Sequence, residues 1–183
     1  MRKLQYIQEV LGTKMLKFKV RTLKRIVKVQ NLETAKTIGI LFDAKNQEDH
    51  KRVVSFANTL CNEYSMKVEV LAYINKKELQ TSFEYESNFT YISEENFNWR
   101  GKAITDTISK FLDQNFNIFI DLTIENTYAF EYIASLSKAN FRVGKFSEDK
   151  MPYDFMIDIK NDKSMDYFIK QILIYLSMIK VSK

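Results

Sequence analysis

Three aspartates close apolar, β-rich runs in this chain, and two lysines stand near them: Asp43 with Lys45, Asp121, Lys145, and Asp158. Carboxylates facing an ammonium group at one edge of a sheet are the residue types that hold Mg²⁺, as in phosphoacceptor domains. The adjacent acidic pair that such domains carry after their first strand is absent here. Asp also ends strands by capping the following turn, and that is the favoured expectation. These five residues therefore mark a ligand edge, with no metal assigned.

Other chemistries lack their parts. There is one histidine, His50, and one cysteine, Cys61, so a His/Cys metal site cannot be assembled. No Gly-x-Ser-x-Gly elbow accompanies His50. The four glycines, Gly12, Gly39, Gly101 and Gly144, are far apart, whereas phosphate cradles need them clustered so that backbone N–H groups can approach. No catalytic residue and no cofactor is assigned. His50 is expected on an exposed first helical turn, and Cys61 as a small buried hydrophobe in a reducing compartment.

Charge is the stronger signal. The net charge is +5, yet residues 1–28 carry nine Lys or Arg against one Glu, leaving the remainder mildly acidic. Such asymmetry points to a polyanionic partner. The stretch KMLKFKVRTLKRIVK, residues 14–28, interleaves seven basic with seven apolar residues. At 100° per residue, Lys14, Lys17, Arg21, Lys24 and Lys28 form one stripe with Arg25 beside it. The apolar residues spread over the other side, interrupted by Lys19. Three readings follow: a stripe along the phosphates of RNA or a ribonucleoprotein, a helix on an anionic membrane surface, or a helix docked on its own domain with solvated lysines.

These residues need elements to position them. KTIGILFDA (36–44) reads as a buried parallel strand. A helix capped by Asn46 follows, then a strand over 66–74, giving a β-α-β unit. A short strand at 89–93, helical spacing at 104–112 and a strand over 116–123 come next. A helix over 126–139 is capped by Asn126 or Thr127, followed by short strands at 140–146 and 153–160. The chain closes on a helix with a broad apolar face from Met165 to Ile179. This alternation predicts an α/β fold: a doubly wound, mostly parallel Rossmann-like sheet with helices on both faces, preceded by a basic amphipathic N-terminal helix. The expected division is a leader over 1–30 and a single domain over 31–183, with a linker at 30–36.

FNIFIDLTIENTYAFEYIASLSKANFRVGKF (116–146) resembles the stretch of heptosyltransferase-type glycosyltransferases in which a strand ending Ile-Asp-Leu leads into a helix and then Arg-Val-Gly. Together with KTIGILFDA, it is also similar to a family of uncharacterised bacterial single-domain α/β proteins with a basic leader. The glycosyltransferase resemblance implies a Rossmann-like fold. Those enzymes join two such domains, so an enzyme of that kind would need a partner to complete it. Their first strand leads into a Gly-Asp loop; here Phe42-Asp43-Ala44-Lys45 lacks the glycine, and the catalytic role is not carried over to Asp43.

The aromatic segment Phe83, Tyr85, Phe89, Tyr91, Phe97 and Trp99 lies among acidic residues, which repel phosphate and favour a satellite core or protein-contact loop. Trp99 and Arg100 are its expected contact residues. The sequence thus points to a non-catalytic binding module engaging a cytoplasmic polyanion, foremost RNA or a ribonucleoprotein. An anionic membrane surface at the inner face is the alternative. A protein partner or homodimer through the N-terminal and C-terminal helices is a further expectation.

Overall fold

In the computed structural model, residues 2–74, 86–98, 102–149 and 151–181 are described, with side chains from residue 12 onward. Six strands make one sheet: β1 (Thr37–Asp43), β2 (Lys67–Tyr73), β3 (Phe89–Ile92), β4 (Ile118–Asp121), β5 (Phe141–Lys145) and β6 (Phe155–Ile157). Their order is β3-β2-β1-β4-β5-β6, and every pairing is parallel. The expected doubly wound sheet is what the chain forms. Ile38, Ile40, Leu41 and Phe42 of central β1 are fully buried, because a parallel sheet must be covered on both faces.

Five helices supply the cover: α1 (Arg2–Thr22), α2 (Gln47–Tyr64), α3 (Asp106–Leu112), α4 (Tyr128–Leu136) and α5 (Met165–Met178). One core joins α2 and α5 to a sheet face through Val53, Phe56, Leu60, Phe168, Ile172 and Leu176. The other joins α1, α3 and α4 to the opposite face through Leu16, Ile108, Phe111 and Ile133. Local signals set the helix starts. Asn46 accepts from the Asp49 N–H, Thr127 from Phe130 and Ser164 from Tyr167. Gly39 lets Phe116 lie directly on β1; a Cβ there would sit 2.6 Å from its ring.

The stretch expected to be a linker is packed turn. Gln30, Asn31, Leu32 and Ala35 are buried. The Asn31 carboxamide accepts from the Glu33 and Thr34 N–H groups and donates to the Ile179 carbonyl. Asn31 and Thr34 supply the hydrogen bonds that let this turn be buried. His50 is likewise buried rather than exposed, with its Nε2 2.8 Å from the Tyr91 hydroxyl and its ring against Phe42 and Phe89. Phe89 and Tyr91 therefore belong to the core, and burial lowers the His50 pKa. Cys61 is half-buried against the same core. No helix among the described residues is long and apolar enough to cross a membrane.

Candidate functional site

The loops after β1 and β4 part to opposite faces, toward α2 and α4, although the two strands are neighbours. A crevice at such a switch in strand order is the usual ligand position in this architecture. Here Lys45 spans it, 2.8 Å from Glu125 and 3.6 Å from Asp43. The Glu125 hydrogen bond is the main cause of the raised Lys45 pKa, and Lys45 in turn lowers that of Glu125.

Asp121 ends β4 fully buried. One carboxyl oxygen accepts from the Thr123 N–H at 2.8 Å and the other from the Tyr153 hydroxyl at 2.8 Å. Burial pushes its pKa up to about 6, opposed by those hydrogen bonds and by the charge of Lys145. Lys145 is half-buried, its pKa lowered by desolvation, and donates to the Ile124 carbonyl. Beside them lies a cavity of about 300 Å³ lined by Thr123, Thr127, Phe130, Glu131, Asp149 and Tyr153, among others. Asp121 stands behind Tyr153 rather than in its wall.

Lys45 bridges Asp43 and Glu125, while Asp121 is held by Thr123 and Tyr153; the charge of Lys145 acts on both Asp121 and Glu125. Asp158 is exposed and accepts the Lys160 N–H in its own turn, the capping role expected of a strand-end aspartate. Glu125 follows Asp121 by four residues in the β4–α4 loop and was legible as a loop acid. Tyr153 was not, because it reaches Asp121 from 32 residues away. Among the described residues, no three His, Cys, Asp or Glu side chains gather as a metal site requires. The carboxylates and lysines at this edge are turned onto one another and tie loops together.

The basic segment is built differently. Helix α1 lies along α4: Leu16 is buried, the Tyr128 hydroxyl donates to the Gly12 carbonyl at 2.9 Å, and Lys19 donates to the Tyr132 hydroxyl at 2.9 Å. The Lys19 ammonium also stands over the Tyr132 ring, 5.1 Å from its centroid. With that side docked, Lys14, Lys17, Phe18 and Arg21 face solvent. No acidic partner meets Lys14, Lys17 or Arg21 among the described residues. Phe18 is 69% exposed between them.

The helix expected over residues 14–28 ends at Thr22, whose hydroxyl donates to the Lys19 carbonyl. Residues 23–30 form an irregular strap near the N-termini of β5 and β6. Arg25 grips Asp154 through both guanidinium nitrogens at 2.7 and 2.5 Å and donates to the Ala139 carbonyl, while the Lys28 N–H donates to the Asn140 carbonyl. Arg25 is therefore a structural tie. Lys24 and Lys28 remain exposed but leave the helical stripe, so the ridge on α1 consists of Lys14, Lys17 and Arg21. Trp99 and Arg100 lie outside the described residues.

No curated protein and no solved structure matches this chain. A family model does, over residues 8–179, and the chain belongs to that family of unknown function, DUF6913.

Proposed function

As the reading of this member of a family without an assigned activity, we propose a non-catalytic binding module that recognises single-stranded RNA, free or within a ribonucleoprotein, through the outer face of α1. The observation that carries it is the exposed set Lys14, Lys17, Phe18 and Arg21, three cations without an acidic partner among the described residues, around one solvent-facing ring. The cations span eight residues, seven steps or about 10 Å along a helix axis, a reach suited to adjacent phosphates of one strand. Phe18 offers a face for base stacking, which contributes about 1–3 kcal/mol per base. One ring among three charges is a poor lipid anchor and a good nucleic-acid platform. The docking of α1 on α4 through Leu16, Gly12 and Lys19 holds that platform rigid.

Fluorescence anisotropy with labelled single-stranded RNA, using the intact chain and the K14E/K17E/R21E variant, tests the reading. Loss of binding in the variant, with a smaller loss for F18A, is expected. Equal binding by all three proteins would refute it. Single-stranded DNA of the same sequence, run in parallel, separates RNA recognition from general strand binding.

A further inference from the structure

A second exposed surface lies on the strap, away from the α1 ridge. Ile26, Val27 and Val29 point to solvent there, the first two at 76% and 60% exposure. The strap then turns into the C-terminal end of α5: the Leu32 N–H meets the Leu176 carbonyl and the Asn31 carboxamide meets that of Ile179. Met178, 68% exposed, therefore lies at the far end of the strap from Ile26 and Val27. Exposed aliphatic side chains gathered from two chain segments are the mark of a contact surface rather than of scattered surface apolarity.

Its surroundings choose the occupant. Lys24, Lys28 and Lys180 are exposed within two residues of these aliphatic residues in the chain, and Glu33 is the one acidic residue in residues 23–36. A second copy of the chain, brought in by a two-fold axis, would set those lysines against their own images. The exposed aromatic ring nearest Met178 in the chain, Tyr175, packs against Phe155 with ring centroids 6.0 Å apart, so it offers a nucleic-acid strand little free face for stacking. An anionic bilayer satisfies both features, because aliphatic side chains enter the acyl boundary while lysines remain at the headgroups. We propose that the strap corner, with Ile26, Val27 and Met178 inserted and Lys24, Lys28 and Lys180 at the rim, docks the protein on an anionic membrane surface. The Arg25–Asp154 pair and the Lys28–Asn140 bond hold the strap against the sheet, so it meets lipid as a preformed edge. This inference does not depend on RNA binding by α1.

Cosedimentation with phosphatidylcholine vesicles, with and without phosphatidylglycerol, tests it on the full chain. The protein is expected to pellet only with the anionic vesicles. I26D/V27D, whose side chains are exposed and outside the fold's contacts, should weaken pelleting by about tenfold or more. K24E or K28E alone should weaken it by about fivefold. K14E/K17E/R21E should still pellet while losing RNA, and I26D/V27D should still bind RNA. The proposal is overturned if the intact chain ignores anionic vesicles, or if I26D/V27D pellets as well as the parent. It is equally overturned if sedimentation velocity shows a dimer that I26D/V27D dissolves, since a second copy would then cover the corner.

Discussion

Replacing Asp121 with asparagine isolates the cost of a buried carboxylate. The side chain is fully enclosed, with one oxygen bonded to the Thr123 N–H and the other to the Tyr153 hydroxyl. Asparagine can keep these contacts: its carbonyl accepts from the Thr123 N–H and hydroxyl, and its amide donates to a Tyr153 hydroxyl that turns its proton away. Only the charge is lost. The folded-state pKa is raised from 3.8 to about 6, so the folded protein holds this proton more tightly than the unfolded chain. The resulting stabilisation is fully present below 3.8 and lost as pH rises through about 6, up to roughly 3 kcal/mol in all. Other carboxylates titrate in both proteins and cancel in the comparison. Urea unfolding followed by circular dichroism from about pH 4 to pH 7 should therefore show D121N gaining on the parent by about 2–2.5 kcal/mol, most of it between pH 4 and 6. A difference that stays constant with pH refutes the reasoning. A difference of opposite sign would mean that Lys145 and the two hydrogen bonds outweigh desolvation.

Two further perturbations probe the packing around Asp121 and the tie of the strap. In G144A the new Cβ would meet the Tyr153 ring at 2.5 Å, displacing the tyrosine that bonds Asp121; a loss of about 1–3 kcal/mol in urea unfolding is expected, and an unchanged midpoint would contradict this packing. A double-mutant cycle on R25A and D154A should give a coupling of about 1–3 kcal/mol, because their side chains are only 12% and 17% exposed and the bond is bidentate. D154A should cost more than R25A, since Asp154 also accepts from the Arg142 N–H, and additive single losses would show that the strap is not tied there.

Most of the sheet was legible because each strand is a short apolar run, and Asn46 and Thr127 cap α2 and α4 locally, so sequence spacing reveals them. Ser164 caps α5 in the same way. The end of α1 is a different case. Neither glycine nor proline stands between Thr22 and Lys28, and the hydrophobic period continues through Ile26 and Val27. What stops the helix is tertiary: Arg25 is drawn to Asp154, 129 residues away, and the Lys28 N–H to Asn140. Tertiary partners outweigh the modest helix propensity of this β-branched stretch. The same reason hid Tyr153 behind Asp121 and Tyr91 behind His50. The sheet-edge aspartates were identified correctly as strand ends, but which of them share a partner depends on loops whose packing no periodicity encodes.

The central claim is that α1 presents cations to phosphates. Its most direct test is the salt dependence of RNA binding for the parent and for K14E/K17E/R21E. Three phosphate contacts on a single strand correspond to a slope of log K against log salt of roughly −2. The parent should show at least that slope, and the variant should bind weakly with a slope shallower by about 2. A parent that binds RNA with no salt dependence, or a variant with an unchanged slope, would contradict recognition through this ridge.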